Sequence, residues 1–237
     1  MILNIDNNAK TVKGQKYGYL TGVLYLAPHT LSDHQVCPSA SAGCIAACLN
    51  TAGRGGMNAT QVARVRKTRR LFDDRDSFMR ELFSDITKLV RRAEKRGLIP
   101  LVRLNGTSDL PWEKLKLGGK SLMDHFPQVQ FYDYTKIAKR ALKWAAGNMP
   151  ANYSLTFSLT ESNDADALRV LAAGGSVAVV FRDELPGTFW GFEVVNGDRH
   201  DVRTHDIGVV VGLKAKGRAK HDISGFVRDF ESLPIAA

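Results

Sequence analysis

Short apolar runs alternate along this chain with amphipathic runs of helical period, and that alternation restricts the fold more than any other feature. Tyr17 to Leu26, Leu101 to Leu104, Val129 to Tyr134, Tyr153 to Leu159 and Ser176 to Phe181 read as strands, and Phe189 to Val195 and Ile207 to Leu213 as two more. Helices are predicted over Ser41 to Asn50, Asn58 to Phe72, Asp76 to Arg96, Lys136 to Ala146 and Asp164 to Ala173, with a last one near Ile223 to Glu231. The run from Asp76 is the clearest. Its apolar residues Phe78, Leu82, Ile86, Leu89, Val90 and Ala93 recur at helical spacing, and Gly97 and Pro100 end it.

Strands separated by helices need crossover connections, which implies βαβ units and a mainly parallel sheet. The expected fold class is therefore α/β, as a partial or full (βα) barrel of six to seven strands, with a doubly wound open sheet as the alternative. One domain over 1–237 is expected, with the barrel core at about 17–216. A chain of 237 residues that is 44% apolar suits a domain of that size. Met1 to Lys10 lacks the apolar core of a signal peptide, and no stretch approaches the roughly 20 apolar residues of a membrane span. A cytoplasmic location and no membrane partner are expected.

All three cysteines lie in one loop, 34–50, after the first strand: Cys37, Cys44 and Cys48, spaced C-x6-C-x3-C. In a reducing compartment such clustering points to metal or redox chemistry and not to a disulfide framework. A helix over this segment would put Cys44 and Cys48 on one face, with Cys37 folding back from the preceding loop. Three thiolates suit a [4Fe–4S] cluster with one iron left open. With His34 as a fourth ligand they suit zinc. Three reduced thiols without metal is the third reading.

Ligands of α/β sheets bind beyond the carboxyl ends of the strands, and polar residues gather at those positions here. Asp109, Tyr134 and Lys136 are candidate catalytic groups, as proton carriers or anion clamps. Arg103, Asn105, Ser158 and Lys214 are candidate cofactor-binding residues. Glu161, Asp198 and Asp201 also follow strands. The net charge of +9 suggests an anionic partner, either a small molecule or nucleic acid. Arg64, Arg66, Lys67, Arg69 and Arg70 could track phosphates; a solvated helix face is the competing reading. Gly118-Gly119-Lys120-Ser121 resembles the end of a phosphate loop, but Lys114 stands where that motif needs glycine.

Leu26-Ala27-Pro28, Cys37-Pro38 with Cys44 and Cys48, and Gly53-Arg54 resemble the phage-type gene product 88 family. So do Val102-Arg103-Leu104-Asn105-Gly106, Phe131 to Lys136, and Asn196-Gly197-Asp198. That resemblance spans about Tyr17 to Lys216 and implies carriage by phage or plasmid, hence the host cytoplasm. The layout is also similar to radical S-adenosylmethionine enzymes, which hold a three-cysteine cluster after the first strand of a partial barrel. This second likeness implies a [4Fe–4S] cluster whose open iron binds S-adenosylmethionine and generates a 5′-deoxyadenosyl radical. The spacing departs from the C-x3-C-x2-C of those enzymes. Two functions are thus expected: an iron–sulfur protein of radical S-adenosylmethionine type acting on an anionic or nucleic-acid-related substrate, or a non-enzymatic nucleic-acid-binding protein with a structural zinc or iron–sulfur site.

Overall fold

In a computed structural model, which describes residues 1–5 and 9–229, the expected alternation becomes a ten-stranded, mostly parallel sheet with helices packed on it. The first part comprises β1 (Leu3–Ile5), α1 (Ala9–Gly14), β2 (Tyr19–Leu24), α2 (Ala42–Ala46), α3 (Asn58–Asp73), α4 (Arg75–Glu94) and β3 (Ile99–Arg103). A hairpin of β4 (Lys116–Leu117) and β5 (Lys120–Ser121) follows, then α5 (Leu122–His125), β6 (Gln130–Thr135), α6 (Ala138–Ala145), β7 (Tyr153–Ser158), α7 (Asp164–Ala172) and β8 (Ser176–Phe181). The last strands are β9 (Thr188–Phe189), β10 (Phe192–Asn196), β11 (Val210–Lys214) and β12 (Val227–Arg228).

Across the sheet the order is β1-β2-β3-β6-β7-β8-β11-β10-β9. From β2 to β10 every neighbouring pair is parallel; β1 and β9 pair antiparallel at the two edges. The order rises from β2 to β11 without reversal, so right-handed crossovers place their helices on one face. Alternate side chains Val102, Phe131, Tyr153, Leu155, Phe157, Val177 and Val179 point to that face and are fully buried there with α4, α6 and α7. The edge strands β1 and β9 do not pair with each other, so the expected full barrel is corrected to an open sheet.

Helix α4 forms where its periodicity places it. The Asp74 carboxylate caps it by accepting from Ser77 N at 3.1 Å, and Arg91 and Arg92 lie in its last turn, where the helix dipole favours cations. Gly118 and Gly119 both have positive φ and form the turn of the β4–β5 hairpin, which accounts for that glycine pair without any phosphate. The single strand expected over Phe189 to Val195 is broken by Trp190 and Gly191, also at positive φ, into β9 and β10.

The expected helix from Ile223 is replaced by a loop and β12; its final residues, 230 and 231, lie outside the described part. Asp222 accepts from Ser224 Oγ and from Val227 N, turning the chain so that Val227 and Arg228 extend β8 beyond the end of β7. Among the described residues, no helix is long and apolar enough to cross a membrane.

Candidate functional site

The cysteine loop lies over the carboxyl ends of the strands, held there from several sides. Gly106 N, just after β3, donates to Leu24 O at 3.0 Å, and Thr107 Oγ1 donates to Leu26 O at 2.6 Å. A β-carbon on Gly106 would come within 2.7 Å of both Leu24 O and Tyr25 Cδ1, so only glycine allows this approach. Cys37 sits against the same loop. Its Sγ accepts from His29 N at 3.4 Å and donates to Thr107 O at 3.7 Å.

Helix α2 is anchored across the sheet. Ser41 Oγ accepts from Cys44 N and donates to Glu161 Oε2 at 2.7 Å, while Glu161 Oε1 accepts from Gly43 N at 2.8 Å. Glu161 follows β7. Burial pushes its carboxyl up, but the bonds from Ser41 and Gly43 hold it below the usual carboxylate range.

The helix then stops. Ala46 is its last residue, and Cys48 has ψ near 128°, outside the helical region. The expectation that one helix carries Cys44 and Cys48 on one face is therefore corrected. The cause is tertiary: Asn50 is buried and gripped by α3. Its Nδ2 donates to Gln61 Oε1, its carbonyl accepts from Gln61 Nε2, and its Oδ1 accepts from Arg64.

All three thiols are free and partly buried. Burial pushes Cys37 up to about 11; the His29 amide opposes this, while Cys48 and Cys44 raise it further and Lys136 lowers it. Cys48 is raised chiefly by burial and also by Cys44, against Asn50 N, Lys136 and Arg64. Negative charge on the neighbouring thiols thus disfavours ionisation of Cys37 and Cys48, while Lys136, and at Cys48 also Arg64, favours it. Burial disfavours the thiolate at Cys37 and Cys48 and makes these two poor nucleophiles; bound positive charge would reverse that.

Among the described residues, no three His, Cys, Asp or Glu side chains stand where one ion could be held. Tetrahedral zinc–thiolate bonds would bring sulfurs to within about 3.8 Å of each other. His34, the expected fourth zinc ligand, is stacked on Phe72 at 4.2 Å, with Nε2 4.0 Å from Asp73. A four-iron cluster gives each thiolate its own iron and so accepts sulfurs set farther apart.

The other expected residues divide into four groups. Lys136 follows β6, and its charge favours the thiolates of Cys37 and Cys48. Asp109 and Asn105 brace the loops. Asp109 accepts from Arg140 Nη1 and Lys136 N, both at 2.8 Å, and Arg140 also pairs with Glu113. Asn105 Oδ1 accepts from Ser108 Oγ, Leu110 N and Trp112 Nε1. Arg103 and Tyr134 lie on the opposite face of the sheet, where the guanidinium covers the Tyr134 ring at 4.6 Å and pairs with Asp201 at 3.1 Å. Ser158 and Lys214 remain at their strand ends, and the Lys214 amide donates to Asp198. Among the described residues, no hydrogen bond or ion pair joins Arg103, Tyr134, Ser158 or Lys214 to the thiols.

The five cations of α3 do not share a face. Arg64 turns inward over the Tyr25 ring at 4.9 Å. Lys67 Nζ donates to Ile2 O, and burial, with Arg64 nearby, pushes its amine down to about 8. Arg69 pairs with Asp33 and Arg70 with Glu81, which leaves Arg66 exposed.

Arg140 and Glu113 escaped the sequence reading, because a cation on an amphipathic helix looks like surface. Asp133 belongs to the same network, accepting from Asn105 N and from Tyr153 OH. Burial raises its carboxyl from 3.8 to about 7 despite those bonds. The folded chain therefore holds this proton where the unfolded chain releases it. Relative to Asp133→Asn, the wild type should lose stability as pH rises from about 4 to about 7 and change no further above that. Urea unfolding of both proteins at pH 5 and pH 8 checks this; an equal difference at the two values would contradict it.

The sequence model of gene product 88 matches residues 2–229, nearly the whole chain. The chain belongs to the gene product 88 family. No curated protein and no solved structure matches it. The comparisons thus carry the first resemblance seen in the sequence and not the one to radical S-adenosylmethionine enzymes. The gene product 88 match takes in the cysteine loop, every strand of the large sheet and the Arg140 network.

Proposed function

We propose that this gene product 88 protein is an iron–sulfur protein in which Cys37, Cys44 and Cys48 hold a [4Fe–4S] cluster at the carboxyl edge of the sheet. One observation carries the reading: a single loop presents three free thiols at the carboxyl edge of the sheet, held there by bonds to the loops after β3 and β7 and to α3. Lys136 and Arg64 would offset the charge of the bound cluster, and Glu161 would position the helix that carries Cys44. When bound, such a cluster supplies electron transfer and an open iron that can take a small ligand. Within this proposal S-adenosylmethionine is the candidate for that ligand, and radical chemistry on an anionic or nucleic-acid-related substrate the candidate activity.

Anaerobic iron and sulfide analysis tests the cluster. Wild-type protein should be brown and hold iron and sulfide in equal amounts, and Cys44→Ala should lose most of both while staying folded by circular dichroism. Colourless protein carrying one zinc would overturn the proposal in favour of a structural metal. Adding S-adenosylmethionine with a reductant tests the second half. An intact cluster that yields no 5′-deoxyadenosine would leave an iron–sulfur protein without radical chemistry.

A further inference from the structure

From Lys214, at the end of β11, the chain reads Lys-Ala-Lys-Gly-Arg-Ala-Lys, with a cation at every second position. The small residues between them turn inward. Ala215 and Ala219 are buried in one cluster with Ala47, and a β-carbon on Gly217 would come within 3.2 Å of Ala52 Cβ. That packing pins 214–220 along the cysteine loop. It leaves Lys214, Lys216, Arg218 and Lys220 exposed, and Arg54 is exposed on the adjoining segment. Lys216 pairs with Asp198. Among the described residues, the side chains of Arg54, Lys214, Arg218 and Lys220 have no hydrogen-bond or ion-pair partner. On 41–57 and 214–226 the one acid is Asp222, which is buried and accepts from Ser224 Oγ and Val227 N. Glu161 is taken up by Ser41 and Gly43, and Asp183 and Glu184, on the loop after β8, pair with none of these cations.

We infer that this strip binds the phosphate backbone of a single-stranded nucleic acid. Unpaired cations repeating at a fixed interval match the regular charges of such a backbone, whereas the carboxylates of a protein partner follow no such repeat. A second copy of this chain is excluded, since it would set like charges together. The apolar side chains on the same segments favour a single strand over a duplex. Ile45, Leu49 and Ile223 are exposed, and only an unpaired strand offers apolar base faces to cover them. The strip would hold the strand beside Cys48, and so names nucleic acid as the anionic partner of the edge where the cluster is proposed. Phosphate contacts carry no sequence information, so binding should be indifferent to sequence.

The probe is a fluorescein-labelled oligothymidylate of about 15 nucleotides, followed by fluorescence anisotropy. Four phosphate contacts at about −0.7 each give a log–log salt slope of about −3, hence a roughly fiftyfold loss of affinity between about 50 and about 200 mM salt. Arg218→Glu combined with Lys220→Glu should weaken binding roughly tenfold or more at the lower salt and flatten the slope by about 1.4, while Arg66→Glu on α3 should match the wild type. All three residues are exposed, so the variants should keep the wild-type circular dichroism spectrum. The readout is binding and not turnover, so it stands apart from whether the cysteines hold a cluster. Absent binding, or an unchanged slope in the double variant, would overturn the inference. So would tighter binding of the matching duplex, or of an acidic peptide of equal charge.

Discussion

Arg140→Met should lower the free energy of unfolding by about 3–5 kcal/mol, the usual result of removing one partner from a buried ion pair. Arg140 stands at the centre of a network with little access to water. Its side chain and those of Asp109 and Glu113 are each about nine-tenths buried. One guanidinium serves Asp109 Oδ1 at 2.8 Å, Glu113 Oε2 at 2.8 Å and the Tyr153 hydroxyl at 3.1 Å. Methionine keeps much of the volume but leaves two carboxylates facing each other without a cation. The variant should therefore recover part of its stability at low pH, where those carboxylates take up protons. Urea unfolding at pH 5 and pH 7.5 measures both effects. A loss below about 1 kcal/mol at neutral pH would mean that the network behaves like a surface ion pair.

Trp112→Ala should cost a similar amount, about 3–5 kcal/mol, through a different term. Trp112 is fully buried in the main core, and its indole N–H donates to Asn105 Oδ1 at 3.0 Å. Alanine leaves a cavity beneath the loop after β3 and strips one of the donors that orient Asn105. That loop also presents Thr107 to Cys37, so the variant carries a second readout. If the cysteines hold a cluster, Trp112→Ala should lose iron faster than the wild type under a chelator at temperatures where both are folded. Trp112→Phe separates the two causes, since it keeps most of the packing and deletes only the hydrogen bond. Unfolding and iron release that match the wild type in both variants would remove Trp112 from any role in shaping the site.

Most of the sheet was legible in the sequence because its central strands are covered on the helix side and largely covered on the other. Such strands read as continuous apolar runs, and Ser176 to Phe181 appears with the bounds expected of it. The short edge pieces were not legible. β1 has three residues and β12 two, too few for any period to show, and both form only because a longer strand offers an unpaired edge. The end of α2 was misread for a related reason. Residues 41–50 can form a helix locally, but the chain leaves it after Ala46, and Gln61 and Arg64 hold Asn50 outside it.

By itself, then, the sequence determined the α/β class, the parallel pairing, and one loop bearing all three thiols after the first long strand. These follow from local periodicity and chain order, which need no knowledge of distant contacts. Only the tertiary structure decided that the sheet stays open, that Arg64 turns inward to Asn50 beside Cys48, and that Asp109 braces a loop through Arg140. Those outcomes depend on which charges are buried together across the fold, and burial is a property of the packed molecule that no short window of sequence contains.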